Sequence, residues 1–319
     1  MASKNLKKGI ICGVIGVFLI GLQPIIANSR PSVIDPFIFA SVTAIIEVLI
    51  FFPLYILERK RLKKKIKVEE NFDKNQSLLN GWKKRGNLTI LLFIGASFTI
   101  VPILLYIGYE LAGAILSSLA LKSEVIFALL FGFLVLKEKI NKTQIIFSVA
   151  LFIGLFVAIS QGSYNLLEFN IGVLILILNA ALFTFIHTLT KIRLNRNELF
   201  PTQIVFFRNL ISGVILLLIY IFIFPLVNLL IILNPLNFLF FLLMGLDYGF
   251  SLYFWYKTLS YIEIGKAGII NSITPIISAF FAFIILGEIF TIYHLIGMVI
   301  MIISIIVIVR EKERITKDF

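Results

Sequence analysis

Five charged side chains stand inside long apolar stretches of this 319-residue sequence, and they are the residues best suited to chemistry. They are three acids and two bases: Glu47, Lys122, Glu124, Arg208 and Asp247. A charge in such a stretch is costly unless it is paired or faces water, so each is a candidate for a binding or translocation role. Three acids against two bases leave one carboxylate in excess, and such a group can carry a proton.

Lys122 and Glu124 are two positions apart, about 200° around a continuous helix. This spacing predicts that they do not share one helix face, and that each meets a partner on another helix. Mutual neutralisation that only fixes helix packing is the competing interpretation. Our hypothesis is that Glu124 or Asp247 exchanges a proton, while Lys122 is a partner for an anionic group of a bound molecule.

Aromatic, amide and imidazole side chains in the same stretches are candidates to complete a binding pocket. They are Tyr106, Asn179, His187, Trp255, Tyr256 and Asn271. Trp255 and Tyr256 are equally well explained as anchors at the membrane interface. A hydrogen-bonded packing role is the simpler interpretation of His187.

The composition indicates that these polar side chains are carried by membrane-spanning helices. Hydrophobic residues make up 60% of the chain, charged residues 14%, and the mean hydropathy is +1.03, which excludes a soluble domain. A hydrocarbon core about 30 Å thick needs about 20 apolar residues in helical form. We predict ten spans, at 9–28, 36–57, 88–108, 111–136, 142–160, 170–190, 201–223, 238–258, 264–286 and 291–309. The apolar runs do not alternate, which argues against a barrel.

The basic residues predict the orientation of the chain. With the N-terminus in the cytosol, all Lys and Arg residues other than Arg30, Lys122 and Arg208 fall on the cytosolic side. Both termini are therefore expected in the cytosol, in a multi-pass protein of the cytoplasmic membrane. The net charge of +12 reflects topology and does not indicate a nucleic-acid partner. We expect the Lys-rich stretch 58–87 to be a solvated linker, with contact to anionic lipid as the alternative.

The chain also matches itself at an offset of 150 residues. Residues 92–159 align with 242–309 without a gap, and Gly95, Tyr106 and Glu138 pair with Gly245, Tyr256 and Glu288. We expect two five-helix repeats, at 1–160 and 161–319. Because five is an odd number, the second repeat enters the membrane from the opposite side, as in many secondary transporters.

The second repeat carries Ala267-Gly268-Ile269-Ile270-Asn271-Ser272-Ile273-Thr274-Pro275, then Ala279-Phe280-Phe281-Ala282 and Leu286-Gly287-Glu288. With Arg208 early in its second helix, it resembles the EamA family of the drug/metabolite transporter superfamily. The resemblance implies a helical bundle around a central cavity that moves amino acids or other small metabolites. The first repeat departs from the pattern, with Thr43 at the place of Arg208 and Lys122-Ser123-Glu124-Val125 at the place of Ser272-Ile273-Thr274-Pro275.

Together these patterns favour a secondary transporter that works by alternating access, with a proton as the hypothesised coupling ion. The direction of transport stays open between uptake and export. A polytopic membrane enzyme and a channel are the alternatives. We expect no enzyme activity, cofactor or metal, because the chain has only His187 and His294, no phosphate-binding Gly-Lys-Ser/Thr loop and one cysteine, Cys12. The expected partners are a small-molecule substrate, the lipid bilayer and protons.

Overall fold

The computed structural model describes residues 2–67, 72–137, 139–161, 170–262 and 264–317, and within these ranges the chain is helical without strands. Seven membrane spans are continuous helices. They are Ala2–Ser29 (span 1), Pro36–Lys67 (span 2), Lys142–Ser160 (span 5), Ile171–Asn195 (span 6), Pro201–Ile223 (span 7), Pro235–Tyr261 (span 8) and Ile292–Lys317 (span 10). The other three spans are interrupted.

Spans 3 and 4 form one apolar helical stretch, Arg85–Val135, of 51 residues. At about 1.5 Å per residue this is long enough to cross a bilayer twice. The backbone leaves the helical conformation at Gly113, with φ 76° and ψ 173°, which divides the stretch into two spans. Nine apolar helical stretches in the described residues therefore give ten spans, as the sequence predicts. The turn that we predicted at 109–110 lies a few residues later, at Gly113. The reason is that only glycine adopts this backbone conformation readily.

Spans 4 and 9 are broken at equivalent places. In span 4 a short 3₁₀ turn, Leu121–Ser123, precedes the helix Glu124–Leu136. In span 9 the helix Ile264–Asn271 ends before Thr274–Phe281 begins, and a π-helical turn, Ala282–Leu286, completes the span. Both breaks lie at the same position of the 150-residue repeat. Both spans also end on a left-handed residue, Lys137 with φ 59° and Gly287 with φ 67°.

The stretch 58–87, which we expected to be a solvated linker, is helical over most of its described residues, although most of its lysines are exposed. Span 2 continues as a helix to Lys67, and a short helix Phe72–Asn80 and a 3₁₀ turn Gly81–Lys83 follow. Trp82 stacks on Phe207 with 5.6 Å between ring centroids. The linker prediction is wrong for the described part of this stretch, because apolar residues among the lysines pack onto the bundle.

One compact unit contains residues 1–29, 104–185 and 254–319. In it span 1 packs against span 9, and span 5 packs against span 10. A Cβ atom on Gly154 or Gly297 would meet the carbonyl oxygen of the other, so spans 5 and 10 cross with their backbones nearly in contact. Both spans start with reciprocal caps, Asn141 with Gln144 in one and Thr291 with His294 in the other.

The second compact unit contains residues 30–103 and 186–253. In it span 7 packs against span 2 and against the first part of span 3, Arg85–Ser97. Two glycines of span 8 let it approach span 2, since a Cβ atom on Gly245 would meet Ile46 and one on Gly249 would meet Phe51 and Glu47. These close packings bring the charged residues of spans 2 and 7 together.

Candidate functional site

Glu47 and Arg208 form an ion pair deep inside the second compact unit. The Nη2 atom of Arg208 donates to Oε2 of Glu47 at 3.2 Å, and the Nε atom donates to Oδ1 of Asn209 at 2.9 Å. The Nδ2 atom of Asn209 donates to the same Glu47 oxygen at 2.6 Å. Glu47 is 2% exposed and Arg208 is 1% exposed. The three side chains form a closed hydrogen-bonded triad.

The guanidinium of Arg208 still has an open edge. Its Nη1 atom is buried and has no hydrogen-bond acceptor among the described residues. The Phe98 ring centroid lies 4.3 Å from the Arg208 Cζ atom, and the Tyr248 centroid lies 5.5 Å from it. These rings hold the guanidinium in place by cation–π contact. A buried cationic donor without an acceptor is expensive, which makes Nη1 a suitable anchor for an acceptor oxygen of a ligand.

Asp247 and His187 belong to the same unit as this triad. Asp247 is 5% exposed and directly precedes Tyr248 on span 8. The His187 ring lies 6.4 Å from the Phe98 ring, centroid to centroid, so Phe98 contacts both Arg208 and His187. The four charged or titratable candidates of spans 2, 6, 7 and 8 are thus all in one compact unit.

A second polar cluster lies in the other unit, where spans 4 and 9 are broken. The Nζ atom of Lys122 donates to the backbone carbonyl of Asn271 at 3.0 Å and lies 3.6 Å from Oε1 of Glu124. The Nδ2 atom of Asn271 donates to the same Glu124 oxygen at 2.7 Å. Thr274 Oγ1 donates to the Asn271 carbonyl at 2.8 Å. Lys122 is 4% exposed.

The prediction that Lys122 and Glu124 point to different sides is therefore wrong. The angle of 200° holds only for a continuous α-helix, and Lys122 lies in the 3₁₀ turn Leu121–Ser123. At about three residues per turn, positions two apart differ by about 120° instead of about 160°, and the two long side chains then converge on Asn271. Each of them also meets Asn271 on span 9, so the expected partner on another helix is present.

A third polar contact caps span 4. Glu288, just after span 9, accepts hydrogen bonds from the backbone amides of Ala114 at 2.5 Å and Ile115 at 2.9 Å. A Cβ atom on Gly113 would lie 3.1 Å from Oε1 of Glu288, so glycine is needed here for space as well as for backbone conformation. The equivalent residue of the first repeat, Glu138, lies outside the described residues.

The remaining predicted pocket residues are in the unit of Lys122 but outside its cluster. Tyr106, Asn179 and Tyr256 are 1%, 2% and 4% exposed, and Trp255 is half-buried. The Oδ1 atom of Asn179 has no hydrogen-bond donor among the described residues. The structure therefore places these four side chains in the protein interior or at its edge, and their roles stay predictions.

Sequence reasoning missed two members of the clusters, Asn209 and Thr274. Asn209 directly follows Arg208, and Thr274 lies three residues after Asn271, so closeness of a polar residue to a candidate was a usable signal. Phe98 was not predictable, since its ring differs from those of 31 other phenylalanines only by position. In the described part of the chain no three His, Cys, Asp or Glu residues are grouped as metal ligands would be.

Comparison with known proteins agrees with this architecture. The model of the EamA-like transporter family matches residues 7–160 and again residues 170–310. A crystal structure of a protein superposes with a TM-score of 0.67 over 97% of this chain and 98% of that chain, at 13% identity, and so shares the fold. No curated protein matches the sequence.

Proposed function

The chain belongs to the EamA-like transporter family, and on that premise we propose that it is a secondary transporter that moves a small metabolite, an amino acid or related compound, across the cytoplasmic membrane by alternating access. It is an all-α, multi-pass membrane protein with ten spans in two inverted five-helix repeats. Its membership supports a transporter and not an enzyme.

The observation that carries the proposal is the pair of buried ionic clusters, one in each compact unit. Glu47 with Arg208 and Lys122 with Glu124 place four charges inside apolar spans, where each would cost several kcal/mol without a partner. A purely structural role does not require such clusters, because a protein is often at least as stable with apolar residues of similar volume in place of a buried ion pair. Transport of a polar molecule does need them.

We assign the coupling proton to Asp247 or Glu124. The spans contain three acids, Glu47, Glu124 and Asp247, and two bases, Lys122 and Arg208. When all five groups are ionised, one negative charge is in excess. A proton or a cationic group on the substrate can compensate this charge. Alternating binding and release of that proton would couple the cycle to the pH gradient.

We assign the recognition of an anionic group on the substrate to Arg208 and Lys122. Arg208 offers the Nη1 donor that no described residue uses. Lys122 has three N–H donors, and Asn271 accepts one of them. Tyr106, Asn179, His187, Trp255, Tyr256 and Asn271 are the proposed further contacts along the path.

The test is transport by the purified protein in liposomes. Candidate substrates are first identified by a screen of amino acids, nucleosides and cationic drugs for compounds that raise the unfolding temperature of the protein in detergent. We expect an imposed pH gradient to drive accumulation, and unlabelled substrate on the far side to accelerate exchange of labelled substrate, which a channel would not show. Gradient-driven transport should be lost in Asp247→Asn or Glu124→Gln. Full gradient-driven transport in both variants would refute the proton assignment.

We also propose that both termini are cytosolic. The test uses Cys12→Ser as background and single cysteines at exposed positions, Lys60→Cys, Arg310→Cys and Val33→Cys. In intact cells a membrane-impermeant thiol reagent should label position 33 and leave positions 60 and 310 unlabelled. Labelling of either cytosolic position would contradict the orientation.

A further inference from the structure

The break in span 9 leaves a backbone carbonyl inside the span without its helical hydrogen bond. In a continuous helix the carbonyl of Asn271 would accept a hydrogen bond from the amide of residue 275. That residue is Pro275, which has no N–H, so the carbonyl has no backbone donor at this position. Asn271 is also the last residue of the helix Ile264–Asn271, where the helix dipole adds partial negative charge.

Glu124 and Thr274 both hydrogen bond to Asn271. Oε1 of Glu124 is tied to Asn271 by the amide hydrogen bond of 2.7 Å. The hydroxyl of Thr274 also lies here, since its Oγ1 atom donates to the Asn271 carbonyl at 2.8 Å. A carbonyl at the end of a half-helix, a carboxylate and a hydroxyl are the kinds of ligand with which broken membrane helices hold small cations.

The positive charge at this place is the ammonium of Lys122. Its Nζ atom is 3.0 Å from the Asn271 carbonyl and 3.6 Å from the Glu124 carboxylate. The second repeat has no counterpart, since Ser272 and Thr274 stand where Lys122 and Glu124 stand in the first. The lysine and its acid thus occur in one repeat only, and they meet the broken helix of the other.

We propose that the break in span 9 is a monovalent-cation site, and that Lys122 fills it with its own ammonium in place of a free ion. The Asn271 carbonyl and the Glu124 carboxylate are the ligands. The proposal goes beyond transport itself, for it states that the protein needs no sodium or other free monovalent cation at this site. A free cation should enter only after the lysine stem and charge are removed.

The experiment measures the thermal unfolding midpoint of the full-length protein in detergent, with ammonium chloride, methylammonium chloride or sodium chloride compared with choline chloride at equal ionic strength. We compare wild type, Lys122→Ala, which opens the site, and Lys122→Met, which fills it with an uncharged chain. Only Lys122→Ala should gain stability with the small cations, saturably, by on the order of 5 °C at a hundredfold excess over Kd. Adding Glu124→Gln to Lys122→Ala should abolish most of this gain.

Two results would overturn the proposal. One is equal responses of Lys122→Ala and Lys122→Met to the small cations. The other is stabilisation of wild type by sodium over choline, which would mean that the free ion binds beside the lysine. If Lys122→Ala is too unstable to purify, Lys122→Ser, which copies the side chain at position 272, is measured in its place. None of these readouts depends on substrate transport, so the proposed function can fail or stand separately.

Discussion

At the scale of single residues, the triad of Glu47, Arg208 and Asn209 shows how an apolar bundle holds a full charge. Both Glu47 and Arg208 are almost completely buried, and each hydrogen bonds to the other and to Asn209. The Nη1 donor of the guanidinium has no acceptor among the described residues, and Phe98 and Tyr248 hold the guanidinium in place. The triad is thus a fixed base on which a ligand can bind without reorganising the protein.

Removing one partner of the Glu47–Arg208 ion pair should destabilise the protein more than removing both partners. We expect Arg208→Met to destabilise the protein by about 3–5 kcal/mol, because it leaves the Glu47 carboxylate buried without its cation. In the double variant Glu47→Gln with Arg208→Met, much of this loss should be recovered. Thermal unfolding of wild type, both single variants and the double variant gives the coupling between the two sites. Additive effects would contradict the buried pair.

The sequence shows which charged residues stand inside apolar runs, but it does not show which of them form pairs. Position in an apolar run is a local property, so Glu47, Lys122, Glu124, Arg208 and Asp247 could be found directly. Pairing depends on which spans pack together, and Lys122 shows that it also depends on breaks in a helix. The sequence shows that Pro275 cannot donate to the Asn271 carbonyl. It does not show that the Lys122 ammonium binds this carbonyl.

At the scale of elements, breaks and caps position the site more than helix length does. Spans 4 and 9 are interrupted at the same position of the repeat, and Gly113 and Glu288 define where span 4 begins. The 150-residue repeat predicted that the two spans are alike. Pro275 is a local signal for the break in span 9, but span 4 has no proline, so its break could not be predicted.

Gly113 should tolerate no side chain. We expect Gly113→Ala to lower stability by about 1–3 kcal/mol, since alanine is strained at φ 76° and ψ 173° and its Cβ atom would crowd Glu288. Gly86→Ala is the matched control, because Gly86 is exposed and its Cβ atom would come no closer than 3.9 Å to the nearest side chain. The control should be neutral or slightly stabilising in thermal unfolding. An equal loss in both variants would contradict the assigned role of Gly113.

The turn between spans 6 and 7 should give the protein a dependence on acid pH. Burial raises the pKa of Glu198, but hydrogen bonds from Arg193 and Asn87 and the charge of Lys84 outweigh it, so the pKa lies below its ordinary value of 4.5. The unfolded chain then binds the proton more readily, and the contribution of Glu198 to stability is complete above pH 4.5 and is lost as the pH falls through the lowered pKa. The midpoint difference between wild type and Glu198→Gln should shrink on acidification. A difference that stays constant down to pH 3 would contradict this.

At the scale of the whole molecule, the repeats of the sequence are not the compact units of the structure. Each unit takes segments from both halves of the chain, which is why span 1 packs on span 9, span 2 on span 7 and span 5 on span 10. The sequence predicted the number of spans and the two repeats, because hydropathy and self-similarity follow the chain. It could not predict these packings, because they join residues far apart in the chain.

Cutting the chain between its repeats should therefore leave the protein assembled. We insert a specific protease site within 162–169, cleave the purified protein and compare it with the uncleaved form. The two fragments should elute together from a sizing column in detergent, with an unfolding midpoint within a few degrees of the intact chain. Separation of the fragments under these conditions would show that the packings between repeats are weak.

The cap that Glu288 gives to span 4 also has a consequence for biosynthesis. The carboxylate lies 174 residues after the amide of Ala114 that it binds. At about 5–20 residues per second, a ribosome needs roughly ten to thirty seconds to make that length of chain. During this interval the newly inserted span 4 lacks the Glu288 carboxylate at Ala114 and Ile115, so its first turn stays uncapped by this residue until translation is almost over.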